Sequence, residues 1–262
     1  MASGDFDTAR NAFATLGAEG GMGSTLAPMG ETDLEMLLGH YGRAVEVLGP
    51  AIESSEIPFE QGSMLAALGE ARLALGDPDQ AAGAAHRALV ASSHDSVLYL
   101  AARVLLHAGD VDGMEAVAIR LDDKLQSQTT ALASLLRGER ALRESRLPEA
   151  VRTLRDAWQE YDLWFARFLM GRAYFEVGHY PEALDEFQLC IDRKGEITDV
   201  FLMDSATLRH FPPALYWLGR TEEAMGSRDA ALELYRQFLE LRGDSDVADA
   251  LVEDAKARID QG

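Results

Sequence analysis

Three times along the chain an aromatic residue is followed four positions later by an arginine: Tyr99 and Arg103, Phe168 and Arg172, Tyr216 and Arg220. On a helix this spacing sets ring and guanidinium on one face. Rings tipped with cations suit an extended peptide with acidic or aromatic side chains, through stacking and charge-assisted hydrogen bonds. The plainer reading has the rings packing against neighbouring helices and the arginines balancing an acidic surface. Other chemistry finds little support in the residue pattern. His40, His86, His94, His107, His179 and His210 are scattered, with no pair at zinc-binding spacing around an acidic residue. Asp110-Val111-Asp112-Gly113 lacks the further carboxylates of a calcium loop, so a helix-capping turn explains it better. There is no phosphate-cradling glycine loop, nucleophile elbow or kinase signature. The expectation is a chain with no catalytic residue, no metal site and no cofactor. An enzyme whose active site converges from several units is the weaker alternative.

Bulk properties narrow the partners. The 262 residues carry 44 acidic and 24 basic side chains, a formal charge of -20, which repels phosphate backbones and anionic headgroups. Nucleic acid and membrane are therefore poor partners, and a protein or peptide is the expected one. No apolar run approaches the roughly 18 residues of a membrane span, and the start lacks a basic-then-apolar signal pattern. Cys190 is the single cysteine, which excludes an intrachain disulfide and points to a reducing, cytoplasmic setting. At its position a buried inert thiol is expected.

The elements that would position the arginines follow from an internal repeat. A glycine is followed five residues later by an alanine at Gly4 and Ala9, Gly39 and Ala44, Gly76 and Ala81, Gly178 and Ala183, and Gly226 and Ala231, each time between apolar helical stretches. Gly109 with Met114, and Ser145 with Ala150, fill the gaps. Successive second members lie 33 to 37 residues apart, except the last step of 48. The glycines suit left-handed helix stops. Pro78, Pro148 and Pro181 suit first turns, where a missing N–H has no partner to lose. Gly69, Ala102, Gly138, Gly171 and Gly219 are predicted on first helices where a second helix crosses closely. Phe13, Leu48, Leu154, Phe187 and Tyr235 are expected to fill the seam between units.

A period of about 34 residues built from two helices resembles the tetratricopeptide repeat. The resemblance rests on Met170-Gly171 with Tyr174, Ala183 and Phe187, on Leu218-Gly219 with Ala231 and Tyr235, and on Leu68-Gly69 with Ala81. It implies an all-α fold, a right-handed α-solenoid of antiparallel helix pairs, with about six to seven units and a C-terminal capping helix. It also implies that first helices line a concave groove and that the array binds protein segments. The expected division of the single array 1-262 is a half repeat over 1-16 and repeats over 25-57, 59-93, 94-127, 129-160 and 163-194. An insertion over 195-212, a repeat over 213-242 and a capping helix over 244-261 complete it. The five glycines between 17 and 30 predict a loose connection there.

The family's lysine and asparagine clamp for a terminal carboxylate is missing, since the corresponding face carries Glu70, Arg103, Glu139, Arg172 and Arg220. The stretch from Arg172 through Cys190 and Arg193 to Phe211-Pro212-Pro213 and Tyr216–Arg220 resembles the C-terminal helical-repeat region of bacterial multidomain signalling proteins, many with a Ser/Thr kinase or regulatory module upstream. The mid-repeat start agrees with a parent protein that continues upstream, whose adjacent domain is one expected partner. The leading expectation is a scaffold gripping a partner at Tyr99, Arg103, Phe168, Arg172, Tyr216 and Arg220. The alternative is an architectural module that links domains or self-associates through its N-terminal edge.

Overall fold

The computed structural model describes residues 6–19, 23–198 and 207–261, and every regular element among them is helical. They form two compact units. The first takes residues up to 110 together with 207–209 and 244–247; the second takes 111–198, 210–243 and 248–261.

In the first unit run α1 (Phe6–Ala18), α2 (Gly23–Leu37), α3 (Tyr41–Ser54), α4 (Pro58–Ala74), α5 (Pro78–Ala91) and α6 (Asp95–Ala108). Each packs on the next, and α2 touches α4 and α4 touches α6, so hairpins stack through their first helices. In the second unit run α7 (Val111–Asp122), α8 (Ser127–Arg143), α9 (Leu147–Glu160), α10 (Trp164–Glu176), α11 (Tyr180–Asp192), α12 (Pro212–Ala224), α13 (Arg228–Arg242) and α14 (Ala250–Asp260). The same serial pattern holds, with α8 touching α10, and α10 touching α12. Short 3-10 turns cover Lys194–Thr198 and Leu208–His210.

Local chemistry explains the boundaries. Gly39, Gly76, Gly109, Gly178 and Gly226 all have φ between 77° and 94°, the left-handed region where a Cβ is penalised. Ser145, standing where the repeat elsewhere has glycine, takes the same conformation at φ 57°. Pro78, Pro148 and Pro181 lie in first turns, and the Asp77 side chain accepts from the Gln80 amide to cap α5.

The helix crossings turn on glycine. A Cβ at Gly138 would lie 2.5 Å from Leu154, one at Gly171 2.8 Å from Phe187, and one at Gly219 2.8 Å from Tyr235. These large residues thus press on the glycine of their own hairpin, where the sequence placed them in the seam between units. Both roles need the same one-turn spacing after the small residue, so the sequence pattern alone does not separate them.

Two further expectations change. The connection expected over 17 to 30 is largely helix, because α2 begins at Gly23, and Gly30 seats the Phe13 ring of α1, with a Cβ there only 2.2 Å from the ring. Glycines read as loose are thus a site of close helix contact; Gly4, Gly20 and Gly21 lie outside the described residues. The capping helix expected over 244-261 begins at Ala250, because Asp249 caps it by accepting from the Leu251 amide at 2.8 Å. Residues 244–247 instead serve the first unit. Asp246 accepts from the amides of Tyr41 and Gly42 at 2.9 and 2.8 Å, supplying the N-cap that His40 does not give α3. Of the insertion expected over 195-212, both 3-10 turns are seen, and residues 199–206 lie outside the described residues.

Candidate functional site

The three aromatic-arginine pairs occupy α6, α10 and α12. In the first unit Tyr99 is fully buried, and the Arg103 guanidinium lies 5.9 Å from its ring centroid. In the second unit Phe168 stacks on Trp164 at 5.6 Å, so its ring serves core packing. Arg172 turns away from Phe168 and lies over Trp217 at 3.8 Å, a contact that the pairwise spacing did not contain. Its Nε is buried with no hydrogen-bond partner among the described residues, and its nearest counter-charge is Glu176 at 3.9 Å. Burial pulls the Arg172 pKa below its ordinary value, and the field of Glu176, then Glu139, offsets only part of that.

Tyr216 and Arg220 form a joint with α14. The Tyr216 hydroxyl donates to Asp254 Oδ2 at 2.6 Å, and Arg220 donates to the same hydroxyl at 3.0 Å. Arg258 donates to Asp254 at 2.6 Å and also pairs with Glu223, which accepts from the Tyr235 hydroxyl. Burial disfavours the Asp254 charge, but hydrogen bonds from Arg258 and Tyr216 outweigh it and hold this carboxyl below the usual range. Only 2% of Tyr216 is exposed, so its ring belongs to the core and the arginine alone reaches the surface. Of the six expected residues, then, the three arginines are partly exposed and the rings are mainly packing.

The charged face read from the sequence extends one rung further, to Asp33, and meets an arginine that the sequence reading missed. The residue after each of the five small crossing residues is charged, namely Glu70, Arg103, Glu139, Arg172 and Arg220, and Asp33 lies one repeat step before Glu70. In the first unit the rungs Asp33 on α2 and Glu70 on α4 close around Arg209. Asp33 accepts from the main-chain amides of Leu208 and Arg209, both at 3.1 Å, and from Arg209 Nη1 at 3.2 Å. Glu70 takes the other side of the guanidinium, from Nε at 2.7 Å and Nη2 at 3.1 Å, the bidentate fork that arginine favours. Arg209 and Asp33 are each nearly fully buried. Burial opposes the Arg209 charge, yet Glu70 and then Asp33 outweigh it and hold the guanidinium protonated more firmly than usual. Burial pushes the Asp33 carboxyl up, and the Arg209 charge and the two amide donors offset only part of that. A step of 37 residues back from Glu70, the same as that between Ala44 and Ala81, would have found Asp33 by the repeat alone. Arg209 lies 139 residues beyond Glu70, and no local pattern announces it.

The serial hairpins define a helical-repeat scaffold. Tetratricopeptide repeat models match residues 66–118 and 213–245, the stretches that contain Gly69 with Ala81 and Gly219 with Ala231. Among solved structures the chain is similar to TTC0263, a thermophilic TPR protein of Thermus thermophilus. There it shows 20% identity over 76% of this chain and 97% of that one, with a TM-score of 0.50. It is also similar to a chain of the APC/C hetero-tetramer Cut9-Hcn1, at 14% identity over 95% of this chain and 52% of that one, TM-score 0.56. No curated protein sequence matches the chain. The fold is thus that of a tetratricopeptide solenoid, an architecture of protein-protein interaction scaffolds. No described helix is long and apolar enough to cross a membrane, and no cluster of three potential metal ligands occurs among the described residues.

Proposed function

We propose that the chain is a protein-interaction scaffold whose second unit docks an acidic segment of a protein partner on the face carried by α10 and α12. Arg172 is the anchor, with Arg220 beside it; Arg103 lies 5.9 Å from the Tyr99 ring in the first unit. The observation that carries the reading is the Arg172 guanidinium, spread on Trp217 at 3.8 Å with Nε unpartnered, a cation already stripped of much of its water. An incoming carboxylate would pair with the exposed part of this guanidinium, and the arginine's share of the desolvation cost is already met. The acidic composition and single cysteine support a cytoplasmic setting, and the resemblance of residues 172–220 supports a bacterial signalling protein as parent, with an adjacent domain as one source of the segment.

The test is fluorescence anisotropy with a labelled hexapeptide of alternating glutamate and phenylalanine. The expected result is saturable binding that Arg172→Ala weakens at least tenfold while the variant stays folded by circular dichroism. Equal binding by the wild type and by a variant with Arg103, Arg172 and Arg220 all changed to alanine removes the reading.

A further inference from the structure

The first unit contains a charged site already filled by the chain itself. Asp33 and Glu70 hold the same place in consecutive repeats, on helices that touch, and both point at one guanidinium. What they hold is a short stretch, residues 207–209, that reaches the first unit from beyond α11. It is gripped as a bound peptide is gripped. A carboxylate reads two successive main-chain amides, a side chain enters between two carboxylates, and Leu208 packs on the cluster of Ala9, Leu34, Leu37 and Leu38.

A second feature beside the arginine points to a ligand. A small pocket at Arg209 is lined by Met29, Thr32, Leu48, Ser63, Met64 and Ala67. The Thr32 hydroxyl is buried there with no hydrogen-bond partner among the described residues. Arg209 and its neighbours satisfy the carboxylates but leave this hydroxyl unmet, so the internal segment does not use every contact the site offers.

We propose that Asp33 and Glu70 form a receptor for an arginine-bearing segment of a partner protein, and that Thr207–Arg209 stands in it as a built-in competitor. The occupant is selected by charge and shape. A buried and a partly buried carboxylate on adjacent rungs fit the planar five-donor guanidinium, whereas a lysine ammonium cannot form the same fork. Tethering gives the internal arginine a high effective concentration, so an external segment gains the site only when it makes further contacts or when the tether is drawn off. This site is separate from the one around Arg172, takes the opposite charge and lies in the other unit, so either proposal can fail alone.

The experiment uses the full chain and a labelled peptide of residues 206–211, Ala-Thr-Leu-Arg-His-Phe, with a matched peptide in which citrulline replaces arginine. Arg209→Ala is expected to bind the arginine peptide at least tenfold more tightly than the wild type does. The citrulline peptide should not bind, and adding Glu70→Gln should abolish the gain. A folded Arg209→Ala that shows no arginine-dependent binding, or a wild type that binds as tightly as the variant, overturns the proposal. Where Arg209→Ala does not fold by circular dichroism, Arg209→Lys is measured with the same peptides; binding no tighter than wild type again overturns it. Concentration-dependent dimerisation of the wild type that Arg209→Lys abolishes would assign the site to a second copy, and so would also overturn an arginine-bearing partner.

Discussion

The ring of Phe187 lies so close to Gly171 that a Cβ on the glycine would sit 2.8 Å from it. Phe187 is fully buried and has no room to withdraw. Gly171→Ala is therefore expected to destabilise the protein by about 1 to 3 kcal/mol by overpacking, measured by chemical denaturation. In a Phe187→Leu background the same substitution should cost less; equal costs in both backgrounds would show that the two residues do not press on each other.

Asp254 joins α14 to α12 through Tyr216. Tyr216→Phe removes one donor and leaves Asp254 with the Arg258 bond. The expected loss is about 1 to 2 kcal/mol, with faster amide exchange over 250–260 than elsewhere in the second unit. Uniform exchange would argue against a joint at this hydroxyl.

Glu35 accepts from Arg10 Nε at 2.7 Å and lies 2.8 Å from His40 Nδ1. Burial works against its charge, but the Arg10 and His40 hydrogen bonds outweigh it and hold the carboxyl below its ordinary value. A depressed folded pKa means that this contribution is complete above the unfolded carboxylate range and is lost as the pH falls through the folded value. Glu35→Gln should thus cost about 1 to 3 kcal/mol near neutrality and progressively less in acid. A cost that is flat with pH would contradict the ion pairs.

Cys190 is fully buried, and burial pushes its thiol well above the usual range. Its modification by an aromatic disulfide reagent is expected to follow unfolding and to be negligible in native buffer. Fast stoichiometric reaction of the folded protein would refute the burial.

These expectations were not equally visible in the sequence. The repeat was legible because small residues, left-handed stops and first-turn prolines act over a few positions, and Gly69, Gly171 and Gly219 recur with their alanines at fixed offsets. The start of α2 was not, because Gly17, Gly20, Gly21, Gly23 and Gly30 all read locally as breakers, whereas Gly30 serves a tertiary contact with Phe13. The spacing of Phe168 and Arg172 gave their shared helix but not the turn of the guanidinium towards Trp217, a choice made by the next repeat. Arg209 was hidden most deeply. Its partners lie 139 and 176 residues away, and nothing in its own neighbourhood encodes them.

Residues 207–209 and 244–247 both complete the first unit, the latter by capping α3 with Asp246 and meeting the Gly39 carbonyl through Ser245 at 3.0 Å. Ordinary arrays can fold repeat by repeat as each leaves the ribosome. Here α2, α3 and α4 wait for chain synthesised more than a hundred residues later. Asp33 and Glu70 stand without Arg209 while α7 to α11 are being translated, and the start of α3 stands without Asp246 until α13 is made, a window in which a cellular factor with a suitable arginine would meet no internal rival at the two carboxylates.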